Sequence, residues 1–166
     1  MKEKGVRILL ADALLFAALL AADLVTKAAA AAALAASPKV LINGVLELRY
    51  LENHGAAFGI LQDARWLFVV LAAAFVAVGA YVYFSVPRTR RFLLLRVCIT
   101  MLAAGAVGNC IDRVAFGHVR DFIYFSLIDF PIFNVADIYV TCGAAFLAII
   151  VLFVYKDGEI SQHLKR

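Results

Sequence analysis

Long apolar blocks separated by short polar stretches dominate this chain. Each block extends for about 20 residues, the length that an α-helix needs to cross the hydrocarbon core of a membrane. We therefore predict four transmembrane helices, at about residues 8–30, 66–86, 92–114 and 132–155. The last of these is expected to start at Pro131, which would place Asn134 and Asp137 in its first turns.

The pattern changes in two places between the blocks. At about residues 39–60, Leu46, Leu48 and Tyr50 alternate with charged residues after an Asn-Gly turn signal. This alternation predicts a small β-element, which lies on the outer membrane surface because an open sheet cannot span a bilayer. A similar alternation from Val119 to Phe125 indicates a short strand before the fourth block.

The composition agrees with a membrane protein. Of the 166 residues 65% are hydrophobic and 17% are charged, whereas soluble domains carry about 25% charged residues. The chain contains no internal repeat and no compositional boundary. We therefore predict an all-α membrane protein forming a single integral membrane domain over residues 1–166, with the small β-element as its one addition.

The positive charges predict the orientation in the membrane. Lysine and arginine cluster at the N-terminus, at residues 88–91 and at the C-terminus. The positive-inside rule then places both termini in the cytoplasm. The net charge of +4 is therefore a topology signal, with some attraction to membrane lipid, and it does not indicate nucleic acid. Asp12 and Asp23 interrupt the first block, so we expect a retained helix rather than a cleaved signal peptide.

This topology brings separate polar groups to the outer membrane face. Polar and charged residues in apolar segments are costly and favour a functional interpretation. The candidate site residues are Asp23, Lys27, Asn53, Asn109, Asp112, Arg113, Asp121, Asn134 and Asp137. Asp23 and Lys27 are four residues apart on a helix and are expected to pair.

Two neighbouring carboxylates at this face could catalyse hydrolysis. Close acids share a proton, so that one can activate a water as a general base while the other acts as an acid. Asp137 lies near a predicted helix N-terminus, where the helix dipole favours negative charge. Asp121 lies in the preceding loop, and Asp112 resembles a support that pairs with the adjacent Arg113. On these grounds alone either Asp112 or Asp121 could accompany Asp137.

Neither a metal site nor a cofactor is predicted. His54 and His118 lie in different loops without the spacing of helical metal ligands. The three cysteines form no CxxC pattern and lie in apolar helices, which is typical of small buried residues. The pattern does not indicate an oligomeric state.

Five motifs together resemble the lipoprotein signal peptidase (signal peptidase II) family of bacterial membrane aspartic proteases. They occur in the family's order over nearly the whole chain, at Asp23–Lys27, Asn53–Gly59, Gly108–Arg113, Gly117–Phe122 and Phe133–Asp137. Two positions depart from the family pattern, since Leu24 replaces a usual glutamine and Gly59 a frequent serine.

The resemblance implies an aspartic endopeptidase of the cytoplasmic membrane. It would remove the signal peptide from prolipoproteins before a diacylglyceryl-modified cysteine, near the outer face. Asp121 and Asp137 would be the catalytic pair. Further residues would hold the substrate backbone or order that pair, namely Asn53, Asn109, Arg113 and Asn134. Asp23, Lys27 and Asp112 would support the architecture.

A small proton-coupled membrane carrier or channel subunit is the alternative. Intramembrane acids and a lysine are the groups that a proton relay uses. Against it, the acids gather at one membrane face and only Asp12 lies nearer the other.

Overall fold

The computed structural model describes residues 2–55 and 61–164, except for the side chain of Lys2. In these two ranges four helices are long and apolar enough to cross a membrane, as predicted. They and a short C-terminal helix are α1 (Lys2–Leu34), α2 (Arg65–Ser85), α3 (Leu93–Phe116), α4 (Val135–Phe153) and α5 (Ser161–Leu164). With 33 residues, α1 extends for about 50 Å and so exceeds the thickness of a hydrocarbon core.

A three-stranded antiparallel sheet lies at one end of the helices. Its strands are β1 (Lys39–Ile42), β2 (Leu46–Asn53) and β3 (Val119–Tyr124), in the order β1-β2-β3. The Asn-Gly signal is confirmed, since Gly44 turns between β1 and β2 with a φ of +69°. The short strand expected after the third block is confirmed as β3. Residues 56–60, which the predicted β-element and the second motif include, lie outside the described residues.

Helix α3 forms the centre of the bundle, and two glycines allow its close approach to α1 and α4. A Cβ atom on Gly105 would lie 2.5 Å from the Ala136 carbonyl oxygen of α4. A Cβ on Gly108 would overlap the Asp23 carboxylate of α1. Side chains larger than hydrogen would therefore separate the helices that carry the polar groups.

The approach to α4 differs from the prediction. Pro131 does not start the helix, because residues 131–133 run alongside β3, where the Phe133 amide donates to the Ile123 carbonyl at 3.0 Å. Helix α4 begins at Val135, and Asn134 is its N-cap. After α4 the chain forms α5, and Glu159 pairs with Arg91 at 2.7 Å.

We call the two ends of the bundle the sheet end and the basic end. At the sheet end, α1 and α3 end, α2 and α4 begin, and the three strands cover the helices. The basic end carries the start of α1, the turn at residues 86–92 and residues 154–164.

Candidate active site

Strand β3 places Asp121 at the sheet end, facing the helices. Its neighbour Asn53 on β2 reaches it because Asn53 pairs with Val119 in the antiparallel register. The Asn53 amide donates to Asp121 Oδ2 at 2.8 Å, and the Asn134 amide donates to Asp121 Oδ1 at 2.6 Å. Asp121 is 2% exposed. Two neutral amides therefore hold this buried carboxylate.

A capping box at the start of α4 places Asp137. The Asn134 side chain accepts a hydrogen bond from the Asp137 backbone N–H at 3.1 Å, and Asp137 Oδ2 accepts one from the Asn134 backbone N–H at 3.0 Å. This reciprocal arrangement satisfies backbone donors that a helix start leaves free. Asn134 therefore contacts both acids and sets their relative position.

Asn109 on α3 completes this set of amides. Its side-chain nitrogen donates to Asp137 Oδ1 at 2.8 Å. Its side-chain oxygen accepts hydrogen bonds from Lys27 Nζ at 2.8 Å and from the side-chain nitrogen of Asn134 at 3.1 Å. Because the lysine can only donate, it fixes which way the Asn109 amide points. Lys27 thus acts on Asp137 through an amide rather than by direct contact.

The surroundings of Asp121 favour its protonated form. Burial, and to a smaller extent the negative charge of Asp137, raise the pKa of the Asp121 carboxyl from 3.8 to about 7. Hydrogen bonds from Asn53 and Asn134 act in the opposite direction, as does the charge of Lys27. A carboxyl with such a pKa can gain or lose a proton near neutral pH.

Asp23 and Lys27 form a buried support beneath this site. Lys27 Nζ lies 2.8 Å from Asp23 Oδ2, and both side chains are fully buried. Asp23 Oδ1 also accepts a hydrogen bond from the Ala136 amide at 2.9 Å. The predicted pair is confirmed, and it ties α1 to the first turn of α4.

Asp112 is an ion-paired support, but its partner is not the adjacent Arg113. Arg120 on β3 donates to both Asp112 oxygens, at 2.6 Å and 3.1 Å, and the Arg120 backbone amide adds a bond of 3.0 Å. Lys27 Nζ lies 3.7 Å from the same carboxylate. Residues 112 and 113 lie about 100° apart around a helix, so their side chains diverge.

Arg113 instead points towards the loop that follows β2. It donates to the Gly55 carbonyl at 3.0 Å, and its guanidinium lies 4.6 Å from the centre of the Phe68 ring. Arg113 therefore contributes a cation near the two acids, without a direct ion pair to either.

These groups open onto one cavity of about 640 Å³. Its lining includes five of the predicted site residues, namely Asn53, Asn109, Arg113, Asp121 and Asp137. The other four, Asp23, Lys27, Asp112 and Asn134, lie behind that lining. The structure thus separates Asp121, which lines the cavity, from Asp112, which Arg120 encloses.

Sequence reasoning missed some residues of this site. Arg120 is one of them, because only the tertiary fold reveals its pairing with Asp112. Ile138, Thr141 and Cys142 line the cavity from α4. Helical spacing could have found them, because residues 137, 138, 141 and 142 share one helix face.

Two histidines set aside as separate loop residues are neighbours. The ring centres of His54 and His118 lie 5.3 Å apart, and His118 Nε2 lies 3.7 Å from a Glu52 carboxylate oxygen. His54 follows β2 and His118 precedes β3, and the pairing of these strands brings the two chain segments together.

The fold and the site define a class of protein: a multi-pass membrane protein with paired carboxylates in a cavity at one end of its helices. Known proteins agree with this description. A family model described as Signal peptidase (SPase) II matches residues 15–153. The chain therefore belongs to the signal peptidase II family, and it is a peptidase.

Individual relatives agree with this family. The lipoprotein signal peptidase of Symbiobacterium thermophilum is 45% identical over 82% of this chain and 90% of its own length. That of Clostridioides difficile is 42% identical over 68% of this chain and 74% of its own. A solved structure described as a bacterial membrane enzyme is 32% identical and has a TM-score of 0.73, covering 90% of this chain and 93% of its own.

Proposed function

We propose that this protein is an aspartic endopeptidase that removes the signal peptide from prolipoproteins, before the diacylglyceryl-modified cysteine. One observation carries the catalytic assignment: Asp121 and Asp137 face one cavity and are held by neutral amides rather than by cations. The names of the relatives, lipoprotein signal peptidase, support the choice of substrate.

The geometry suggests different roles for the two acids. A pKa of about 7 for the Asp121 carboxyl leaves a large fraction protonated at neutral pH. Asp137 accepts two hydrogen bonds at the N-terminus of α4, where the helix dipole stabilises negative charge. We therefore assign the resting proton to Asp121 and the resting charge to Asp137.

Hydrolysis then follows general acid–base chemistry. Asp137 takes a proton from a water as the water oxygen attacks the scissile carbonyl carbon, and Asp121 gives its proton to the carbonyl oxygen. The tetrahedral intermediate collapses when its C–N bond breaks and the proton on Asp137 passes to the leaving nitrogen. Asp121 regains its proton from the intermediate's hydroxyl, so the pair ends as it began.

The other polar residues at the cavity bind the substrate backbone or hold the two acids in position. Asn53, Asn109 and Arg113 line it and present donors to backbone carbonyls of an extended substrate. Asn134 lies behind them and holds both acids in position. Asp23, Lys27 and Asp112 keep α1, α3, α4 and β3 in register around the pair.

We place the protein in the cytoplasmic membrane of a bacterium, with both termini in the cytoplasm and the cavity near the outer face. The arginines and lysines of the basic end support this orientation by the positive-inside rule. An outer-face site suits a substrate whose signal peptide has crossed the membrane and whose lipid anchors it there.

The carrier or channel alternative has weaker support. In the described ranges, Asp12 and the exposed Glu3 in the first turn of α1 are the acids on the membrane helices nearer the basic end, and Asp12 pairs with Arg96 at 2.8 Å. A relay across the membrane would need titratable groups between that pair and the sheet end.

The decisive experiment measures cleavage of a synthetic lipidated prolipoprotein by purified Asp121→Asn and Asp137→Asn variants. Each removes one of two carboxyls at nearly constant shape, so we expect kcat to fall by about 10³-fold or more, within the range of general acid–base catalysis. Asp129→Asn is the matched control, because Asp129 is exposed and bonds to Tyr124 rather than to the site.

Three results would contradict the proposal. Near wild-type cleavage by folded Asp121→Asn would move the assignment to Asp112. Equal cleavage of the lipidated and unlipidated substrates would contradict recognition of the diacylglyceryl group. Proton or solute flux in proteoliposomes without any cleavage would favour the carrier.

A further inference from the structure

Three metal-binding side chains converge where β2 ends and β3 begins. Glu52 pairs with Arg120 and Asn53 with Val119, so the next antiparallel step sets His54 opposite His118. Glu52 lies on β2 and His54 directly follows its last residue, and a spacing of two along an extended chain places both side chains on one face. The register thus predicts one cluster, and the structure contains it.

The distances fit a site that closes around an ion. One donor atom from each of Glu52, His54 and His118 lies within 4.8 Å of the others. Donors around tetrahedral Zn²⁺ lie about 3.3 Å apart, since each is about 2.0–2.1 Å from the metal. The side chains of Glu52 and His54 are 53% and 46% exposed, so rotamer changes can close the difference without disturbing the core.

The donor set selects a class of ion. Two imidazoles and one carboxylate suit zinc and other late first-row metals, whereas Mg²⁺ and Ca²⁺ prefer oxygen ligands. Other groups lie beside the imidazoles: His54 Nδ1 lies 3.9 Å from an Asp63 carboxylate oxygen, which is beyond hydrogen-bond distance, and His118 stacks on Phe116.

We propose that Glu52, His54 and His118 form a site for a divalent transition-metal ion, with Zn²⁺ as the best match. Glu52 and His54 also line the cavity that contains Asp121 and Asp137. An ion there joins the ends of β2 and β3 at the rim of the cavity and slows substrate entry. This inhibitory effect rests on the proposed function, whereas the binding of the ion does not.

The binding test titrates Zn²⁺ into the full chain, purified in detergent without a histidine tag, against a chromophoric chelator. A Cys110→Ala, Cys142→Ala background removes the two partly exposed thiols. We expect one equivalent to bind, and His54→Gln and His118→Gln each to weaken the affinity at least tenfold. His163→Gln is the matched control, because His163 lies on α5 against Phe92 and should leave the affinity unchanged.

The possible results separate the claims. Equal affinity in all variants, or a wild-type Kd weaker than about 100 µM, would overturn the site. Glu52→Gln offers a further test, since it keeps the fold of the strand and should also weaken binding. Thermal melts of each variant exclude misfolding as the cause of lost binding.

Cleavage assays then test the effect on activity. Added Zn²⁺ should lower kcat/KM of the wild type several-fold but leave His118→Gln unchanged, and EDTA should restore the wild-type rate. Zn²⁺ binding without inhibition of cleavage would contradict the inhibitory effect but would still support the metal site. A wild type that does not cleave the lipidated substrate in EDTA would contradict the proposed function instead.

Discussion

Five buried or half-buried aspartates of the helices and sheet fall into two groups. Asp12, Asp23 and Asp112 each contact a cation: Arg96, Lys27 and Arg120, respectively, at 2.6–2.8 Å. In contrast, Asp121 and Asp137 accept hydrogen bonds from asparagine side chains and backbone. Aspartates of the first group lie at both ends of the bundle, whereas those of the second lie only at the cavity.

The difference bears on the pKa of the Asp121 carboxyl. A cation within hydrogen-bond distance stabilises the carboxylate and opposes its protonation. Amides satisfy the oxygens but leave the charge uncompensated, so burial and a neighbouring carboxylate can raise the pKa of Asp121 to about 7. The same residue type therefore supports the fold where it meets a cation and is available for chemistry where it meets amides.

The largest expected effect is the loss of stability when a cation-paired acid far from the cavity is replaced. Asp12→Ala leaves Arg96 buried without its partner, which costs about 3–5 kcal/mol of stability for a buried pair. It also removes the acceptor of the Tyr83 hydroxyl bond of 2.9 Å. Unfolding in detergent should show this loss, while the folded fraction keeps its cleavage rate.

A double variant distinguishes this pair from a catalytic group. Asp12→Leu combined with Arg96→Met replaces both charges by apolar groups and should recover most of the lost stability. A cleavage rate per folded molecule that fell as far as in Asp121→Asn would contradict the division into two groups.

The next effect follows from the pKa of Asp121. Between pH 4 and 7 the folded state keeps a proton on Asp121 that the unfolded chain has lost, so stability falls as pH rises through this window and is constant above it. A pKa of about 7 in the folded state, against 3.8 for the free carboxyl, corresponds to about 4 kcal/mol. Cleavage should likewise decline above about pH 7 as Asp121 loses its proton.

Asp121→Asn is the reference for this measurement. Its amide does not titrate, so the variant should not share the wild type's loss of stability between pH 4 and 7. The unfolding free energy of the variant, relative to that of the wild type, should therefore be higher at pH 8 than at pH 4. A difference that is the same at pH 4 and pH 8 would show that Asp121 titrates normally.

Much of this arrangement could be predicted from the sequence. The four helices follow from apolar length, β2 and β3 from alternation, and the Asp23–Lys27 pair from a spacing of four. These features depend on neighbours along the chain. The start of α4 was displaced to Val135, because residues 131–133 bond to β3, which is a tertiary effect.

The missed contacts join residues on different elements. Asp112 meets Arg120 because β3 folds back over the end of α3, after Gly117 turns with a φ of +87°. His54 meets His118 through strand register. Sequence physics alone left Asp112 and Asp121 open as partners of Asp137, since both are aspartates near the end of α3. Their positions in three dimensions distinguish them, because Arg120 encloses Asp112 whereas Asp121 lines the cavity.

A smaller change tests the amides directly. Asn53→Ala removes a donor to Asp121 Oδ2 and should raise the pKa of that carboxyl by about one further unit, about 1.4 kcal/mol. The alkaline decline of kcat/KM should then move to higher pH, with a lower maximum. Gln162→Ala, which removes an exposed amide on α5, is the control and should keep the wild-type profile.

The smallest expected effect concerns an acid outside both groups. Glu47 on β2 pairs with Arg49 at 3.3 Å, and the Arg49 side chain is 48% exposed. Solvent screens this pair, so Glu47→Gln should change stability by less than about 0.5 kcal/mol and leave the pH profile of cleavage unaltered. Unfolding in detergent and kcat/KM between pH 5 and 9 measure both quantities. A loss as large as that of Asp12→Ala would mean that contact with a cation alone, without burial, decides which carboxylates hold this fold together.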